Sequence, residues 1–310
     1  MTLQQLKYVT AVAETGTISG AAQALFLSQP SLTAAIHDLE QELNITIFSR
    51  TNRGVALTPA GDEFLGYVRQ VLEQTDLIEE RYTGSAPRRH RFSVSTQHYS
   101  FAVKAVVEMV KQFNTAEYEF AIRETRTRTV IEDVSTLRSE IGILYLSDFN
   151  RRAITKLLKT NELEFHKLID CRVYAYLWKG HPLAKEKAVR LEQLYAYPCL
   201  SFEQGGNSSF YFAEEVFTTN EYPRTIKAND RATMLNLMVG LNGYTLCSGI
   251  ICEELNGDDY IAVPLADEAC GDSEQMEIGY IVKKHQTMSK MGVLYIQKAQ
   301  EYLAACAKTE

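Results

Sequence analysis

The chain has 310 residues, a length that predicts two or three domains. Hydrophobic residues make up 45% of it and charged residues 23%, which is usual for globular proteins and argues against disorder. It contains neither an apolar run of roughly 18 residues nor a basic leader followed by an apolar segment. We therefore expect a cytoplasmic protein with no membrane partner.

The charge of the chain does not indicate a nucleic-acid partner. Its formal net charge is -7, and residues 1–87 carry five basic side chains against ten acidic ones. A protein that binds nucleic acid usually has a basic surface instead. Any case for DNA binding therefore depends on local patterns.

The cysteines and the catalytic motifs argue against a metal site, a cofactor or an enzyme. No CxxC pair and no Cys/His cluster at metal-ligand spacing occurs, so we expect reduced, mostly buried thiols. A GxSxG elbow, a Walker A loop, a GxGxxG fingerprint and an HExxH helix are also missing from the sequence. The six cysteines are Cys171, Cys199, Cys247, Cys252, Cys270 and Cys306.

Two short helices are predicted at the N-terminus. Thr2 and Gln5 form a capping box, and apolar residues at every third position predict a helix over 3–15 that Gly16 can end. Ser19 is the candidate N-cap of a brief second helix, whose small residues allow close packing.

A third helix begins after Ser28, with Pro30 in its first turn, where proline breaks no hydrogen bond. Its apolar residues fall on one face, and short polar residues cover the opposite face. A helix-turn-helix presents such side chains to base edges, whereas a plain three-helix module could show the same periodicity. The side chains that we expect to face DNA are Gln29, Pro30, Ser31, Thr33 and His37.

Two short strands with a basic tip are predicted next, followed by a long helix. Arg50 and Arg53 flank the tip and suit a phosphate or minor-groove contact, although a solvated turn is the alternative. Thr58 and Pro59 begin the helix, along which apolar residues repeat as a heptad. This seam indicates a dimer helix or, alternatively, packing within the chain; its members are Phe64, Val68, Val71, Thr75, Ile78 and Tyr82.

These motifs carry a family resemblance over about sixty residues. The chain resembles the LysR-type transcription regulators, although Asn44 stands where that family usually has glycine, and Ala34 and His37 stand where larger or basic residues are frequent. The matching residues are Ala21-Ala22, Ser28-Gln29-Pro30-Ser31-Leu32-Thr33, Ile36, Leu39-Glu40, Leu43, Phe48, Arg50, Arg53-Gly54-Val55 and Leu57-Thr58-Pro59-Ala60-Gly61.

The resemblance implies a fold and a set of partners. The implied fold is an α+β winged helix-turn-helix with a long linker helix, followed by an α/β two-lobed domain like type 2 periplasmic-binding proteins. The implied partners are promoter DNA with an interrupted dyad, a small-molecule effector, further copies in a homodimer or homotetramer, and RNA polymerase. The expected domains are 1–58 for DNA binding, 59–83 for the linker helix, 84–90 for a hinge and 91–310 for the effector.

The C-terminal region shows an α/β pattern. Strands are predicted at 92–95, 118–122, 141–146, 173–178, 198–202, 225–228, 244–247 and 276–282. Helices are predicted near 101–113, 129–138 and 231–241, from about Ser208 and from about Met288.

By the resemblance, lobe one holds 91–170 and 271–310, and lobe two holds 171–270. Lys179-Gly180-His181-Pro182-Leu183 resembles the motif that follows the first crossover, and we interpret His181 as a turn residue before proline. Arg88, Arg89 and Arg91 favour a solvated linker over a phosphate contact.

Ligands of open α/β folds lie beyond the C-terminal ends of strands, near helix N-termini. Hydroxyl and amide side chains there suit a carboxylate or similar anion, although each could equally be plain capping chemistry. The sequence therefore predicts an effector that is a small anionic metabolite. Its expected contacts are Ser95, Thr96, Gln97, Tyr145, Asn207, Ser208 and Asn229.

Two other functions remain as alternatives. A secreted solute-binding protein would explain the two lobes but not the first ninety residues. A redox-sensing regulator of the same family would use Cys199, or Cys247 with Cys252. Free cysteine is usually a buried hydrophobe, which favours the small-molecule effector.

Overall fold

The computed structural model describes residues 1–51, 54–83, 90–112, 118–205, 210–266 and 275–306, without the side chains of residues 73, 77, 80, 81 and 83. Its contacts divide the chain into two compact units, one built mainly on the N-terminal residues and one on the rest. No helix within these described ranges is both long enough and apolar enough to cross a membrane.

Three helices begin the N-terminal unit: α1 (Leu3–Thr15), α2 (Ile18–Ala24) and α3 (Gln29–Leu43). The prediction of α1 is confirmed at both ends. The predicted N-cap of α2 is wrong, because Thr17 rather than Ser19 accepts the capping bond, from Gly20 N at 3.1 Å. The chain leaves α1 in an extended conformation at Thr17, so its hydroxyl reaches the first free amides of α2.

A two-stranded wing follows, with β1 (Phe48–Thr51) antiparallel to β2 (Gly54–Leu57), and then the 25-residue α4 (Pro59–Thr83). The apolar faces of α1, α3 and the first turns of α4 enclose the core of this unit. The core residues are Leu6, Val9, Leu39, Ile47, Leu65 and Val68, with Val12, Ala21, Ala22, Leu32 and Ile36 beside them.

The heptad seam predicted along α4 is divided in the structure. Phe64 and Val68 pack into the core of their own unit, and Val68 is only 1% exposed. Val71, Ile78 and Tyr82 are instead 42%, 59% and 77% exposed. The intrachain alternative is therefore right for the first part of the seam, whereas the side chains of Val71, Ile78 and Tyr82 in the later part are exposed.

Gly61 of α4 lies directly against the backbone of Ile47, the residue before the wing. A Cβ added there would lie 2.1 Å from the carbonyl oxygen of Ile47, a buried backbone position. We expect Gly61→Ala to lower the free energy of unfolding of this unit by about 2 kcal/mol, because α4 would have to shift away from the wing. Gly240 lies in open space, so Gly240→Ala is the matched control and should not destabilise the protein. Urea unfolding followed by circular dichroism checks both, and equal stability of the two variants would contradict the prediction.

The second unit contains two lobes. In the first lobe, β3 is parallel to β4 and β5, and β12 is antiparallel to β5 and β6, giving the order β4-β3-β5-β12-β6. Its strands are β3 (His90–Thr96), β4 (Tyr118–Glu124), β5 (Ile141–Leu146), β6 (Leu163–Cys171) and β12 (Met276–Lys283). Its helices are α5 (Ser100–Gln112), α6 (Thr127–Ser135), α7 (Asp148–Thr160) and α11 (Lys290–Cys306).

In the second lobe, the central β7 pairs antiparallel with β10 and β11, and β8 is parallel to β9. A bond from Leu200 N to Tyr244 O joins the two pieces of sheet. The strands are β7 (Tyr174–Trp178), β8 (Cys199–Phe202), β9 (Thr225–Ala228), β10 (Thr245–Cys247) and β11 (Tyr260–Pro264). The helices are α8 (Leu191–Leu194), α9 (Arg231–Leu241) and α10 (Glu253–Asn256), with a 3-10 turn at Phe210–Phe212.

Several elements of the second unit differ from the prediction. The helix expected from Ser208 begins outside the described residues, and the chain that follows forms only the 3-10 turn Phe210–Phe212. The elements that were not predicted from the sequence are α7, α8, α10, β6 and β11. Because β6 is an edge strand with charged, exposed residues, it lacks the apolar run by which a buried strand is recognised.

Candidate DNA interface and effector cleft

The polar face of α3 is exposed as predicted. The N-cap Ser28 accepts from Ser31 N at 3.2 Å, and the Thr33 hydroxyl donates to Gln29 O at 2.8 Å. Arg50 is exposed on β1, whereas Arg53 lies outside the described residues. The exposed residues that share the α3 face are Gln29, Pro30, Ser31, Thr33 and His37.

Two further residues lie at or beside α3. Phe26, in the turn between α2 and α3, has φ 55° and a side chain that is 96% exposed. Glu40 of α3 accepts from the backbone amides of Ile47 and Phe48 at 2.6 and 3.1 Å, so it ties the start of the wing to the helix. Sequence reasoning assigned no role to either residue, although Glu40 belongs to the matching motif.

A cleft that is partly open to solvent lies in the second unit. Residues from both lobes line it: the segment after β3 and the start of β12 from the first lobe, and β7, α9 and β10 from the second. This cleft is therefore the place where a small molecule could contact both lobes at once.

The residues predicted after β3 do not line this cleft. Ser95 Oγ donates to Asp133 Oδ2 at 2.5 Å, and Thr96 Oγ1 donates to Gln97 O at 2.7 Å. The Gln97 amide donates to Thr127 Oγ1 at 2.5 Å. All three are fully buried, and the hydrogen bonds of Ser95 and Gln97 lead to residues of α6. The structure places these three residues outside the lining of the cleft, to which the next residues, 98–100, contribute instead.

Of the other predicted ligand residues, Tyr145 and Asn229 also lie outside the lining of the cleft. The Tyr145 hydroxyl lies 3.2 Å from Ala213 O and 3.1 Å from Glu215 O, so it links the lobes. Asn229 is exposed, and it is its neighbour Asp230 that caps α9, accepting from Thr233 N at 2.8 Å. Asn207 and Ser208 lie outside the described residues.

A histidine and a glutamate connect the two lobes beside the cleft. The backbone N–H of His98 donates to Glu214 Oε2 at 2.9 Å, and Nδ1 of His98 lies 2.8 Å from the same oxygen. The His98 ring stacks on Phe202 with a centroid distance of 3.7 Å. Gln204 donates to the other oxygen of Glu214 at 2.8 Å, so this carboxylate is fully bonded.

Four residues that line the cleft each bring a buried polar atom that has no hydrogen-bond partner among the described residues. The atoms are Tyr99 Oη, Glu215 Oε2, Arg231 Nε and Thr245 Oγ1. Burial, with the charge of Glu214 next to it, raises the pKa of Glu215 to about 8. Buried polar groups are normally bonded, so these atoms require polar partners within the cleft. The sequence carried no signal for them, because their burial depends on how the lobes pack.

Comparison with known proteins identifies the family. The model of the bacterial regulatory helix-turn-helix proteins of the lysR family matches residues 3–62, and the model of the LysR substrate binding domain matches residues 87–304. The chain belongs to the LysR family. It is a LysR-type transcriptional regulator with a winged helix-turn-helix, a linker helix and a two-lobed domain like that of periplasmic-binding proteins.

Individual relatives agree with this assignment. The HTH-type transcriptional regulator YvbU of Bacillus subtilis is 27% identical over 288 residues, which cover 87% of this chain and 94% of that protein. Full-length OxyR from Pseudomonas aeruginosa has a similar fold, with a TM-score of 0.70, 17% identity and coverage of 97% and 95%. Full-length CbnR in complex with its target DNA gives a TM-score of 0.57, 19% identity and coverage of 97% and 100%.

Proposed function

We propose that this LysR-type regulator binds promoter DNA through α3 and the wing, and that a small molecule in the cleft controls the outcome. The observation that carries the proposal is the pairing, in one chain, of an exposed polar helix face with a two-lobed cleft that contains unpartnered buried polar atoms. CbnR, which has a similar fold, was solved with its target DNA, and this supports the DNA-binding half of the proposal.

The acidic charge of residues 1–87 limits how DNA can be held. Arg50 and Arg53 are the basic side chains of the wing, and the α3 N-terminus adds backbone amides. Few phosphates are neutralised per subunit, so affinity depends on several subunits binding together. A homodimer or homotetramer formed through α4 would let several subunits bind the same DNA. Promoter sites with an interrupted dyad would match the symmetry of such an oligomer.

The cysteines favour a small-molecule effector over a redox mechanism. Burial raises the pKa of both Cys199 and Cys247 to about 12. Cys252 is only 1% exposed. Because the thiolate is the reactive form of cysteine, thiols kept protonated and shielded in this way are poorly suited to peroxide or disulfide chemistry.

The roles of α3 and the wing can be separated by two substitutions. Thr33→Ala should change base preference and cost about 1 kcal/mol at one position of the site, because the residue faces base edges. Arg50→Ala should weaken binding to all sequences. It should also reduce the slope of log affinity against log salt concentration by about one per subunit. Fluorescence anisotropy with promoter variants at several salt concentrations measures both, and Arg190→Ala, an exposed arginine of the second unit, is the control. If both substitutions behave like Arg190→Ala, the interface is misassigned.

The sensor role is tested by footprinting the full-length protein on the promoter of its own gene. A ligand changes the equilibrium only through different affinities for two arrangements, so we expect an effector to alter the footprint or the DNA bend. Effectors are found by a thermal-shift screen of organic acids, amino acids and amines, since a ligand of the native state raises its melting temperature. A bound compound that leaves both footprint and expression unchanged would remove the sensor role.

A further inference from the structure

One wall of the cleft carries a carboxyl group that lacks a cationic partner. Glu215 accepts a bond from Phe202 N at 2.8 Å through Oε1, while its Oε2 is unpartnered and the residue is only 7% exposed. Glu214 beside it is already bonded to His98 and Gln204. Among the residues that the structure describes, no basic side chain forms an ion pair with Glu215.

Other residues that line the cleft offer donors without an acceptor. Arg231 forms an ion pair with Glu124 through Nη2 and lies 3.4 Å from Asn256 Oδ1 through Nη1, but its Nε has no acceptor. Tyr99 Oη is also unpartnered. A guanidinium N–H and a phenol O–H together suit a carboxylate or carbonyl oxygen of a ligand.

The remaining lining is largely apolar. Side chains from both lobes contribute to it, so a ligand that satisfies the polar atoms would also bury an apolar body. The apolar residues of the lining include Tyr176, Phe202, Met234, Leu235, Ile250 and Met276.

We propose that the cleft binds an apolar amino acid or a closely similar zwitterion. Its protonated amine pairs with Glu215, its carboxylate accepts from Arg231 Nε and Tyr99 Oη, and its side chain packs on the apolar wall. This replaces the anionic metabolite expected from the sequence, because only a cationic group can form an ion pair with the Glu215 carboxylate. The inference rests on the proposed effector function of the cleft.

Binding of an amine at Glu215 has a distinctive consequence. Since its pKa is raised to about 8, Glu215 is mainly protonated at pH 7 and must lose its proton to the buffer when an ammonium group pairs with it. We therefore expect release of about one proton per site. The ionisable groups near Glu215 or in the same cleft are Glu214, His98, Tyr99, Tyr145, Tyr176, Cys199, Arg231 and Cys247.

The test uses the full-length protein with three probe sets built on leucine, methionine and phenylalanine. Each set contains the L-amino acid, the acid of the same skeleton without its amine, and the amine without its carboxylate. At least one amino acid should raise the melting temperature, and its two analogues should bind at least about tenfold more weakly. Calorimetry in buffers of different ionisation enthalpy should report proton release for the amino acid only.

Two variants locate the contacts. Glu215→Gln retains an acceptor for Phe202 N but removes the charge, and it should weaken amino-acid binding at least about tenfold and abolish proton release. Arg231→Lys preserves a charge opposite Glu124 but lacks Nε, and it should weaken binding without changing proton release. Glu253→Gln, at an exposed glutamate, is the control. If Glu215→Gln fails to fold, calorimetry of the unmodified protein in the different buffers still tests whether amino-acid binding releases a proton.

The inference is overturned if the amine-free acids bind as tightly as the amino acids, if Glu215→Gln binds like the unmodified protein, or if no amino acid binds. Equally tight binding by the amines would overturn the contact at Arg231. An organic acid that binds and changes the footprint would overturn this inference but leave the effector function intact. If no compound of any class in the thermal-shift screen binds, both this inference and the proposed effector function are wrong.

Discussion

The Val71→Glu, Ile78→Glu double variant is expected to fold, to sediment as a monomer and to bind promoter DNA about 100-fold more weakly than the unmodified protein. Both side chains are exposed on α4, on the same stripe as Tyr67 and Tyr82, which are 59% and 77% exposed. Charges placed on an apolar contact between two helices would be desolvated without partners. Loss of the dimer would remove the simultaneous binding of two half-sites.

Two comparison variants distinguish a loss of dimerisation from a loss of folding. Val68→Glu places a charge in the core of the N-terminal unit, so it should lower the free energy of unfolding by more than about 3 kcal/mol and report on folding, not on assembly. The Asp62→Asn, Asp76→Asn variant changes the opposite face of α4 and should leave the sedimentation unchanged. If the Val71→Glu, Ile78→Glu variant is still a dimer, the exposed stripe is not the dimer interface.

The Glu215→Gln variant should become more stable relative to the unmodified protein as the pH rises from 5 to 8. The pKa of Glu215 is about 8 in the folded protein and has its ordinary value of 4.5 in the unfolded chain. Between these values the folded state binds more protons, so the free energy of unfolding falls as the pH rises. Glutamine has no such dependence, and the difference between the two proteins should change by roughly 4 kcal/mol over this range.

The chain has a single tryptophan, Trp178, which lies on β7 in the same unit as Glu215. Its fluorescence therefore reports urea unfolding of that unit without interference from the DNA-binding unit. Glu253→Gln, at an exposed position, should show the same pH dependence as the unmodified protein. A constant stability difference between Glu215→Gln and the unmodified protein at pH 5 and pH 8 would show that Glu215 is ionised when the protein is folded.

Much of the DNA-binding unit could be predicted from sequence because its determinants are local. The capping box of Thr2 and Gln5 is present in the structure, and Ser28 caps α3 as expected. The spacing of apolar residues along α3 identifies both the buried face and the exposed polar face, because a helix repeats every 3.6 residues. The position of Glu40 in the chain did not reveal that it binds the wing amides, since that contact joins separate elements.

What the sequence by itself determined is therefore the family, the order of most elements and the residues that share a helix face. Only the tertiary structure decided which side of α4 is covered by its own unit, because periodicity identifies a face but not its partner. It also decided that Ser95 bonds inside the first lobe and that Glu215 and Arg231 line the cleft. Whether a polar atom is buried without a partner depends on packing between distant segments, and no local pattern encodes that.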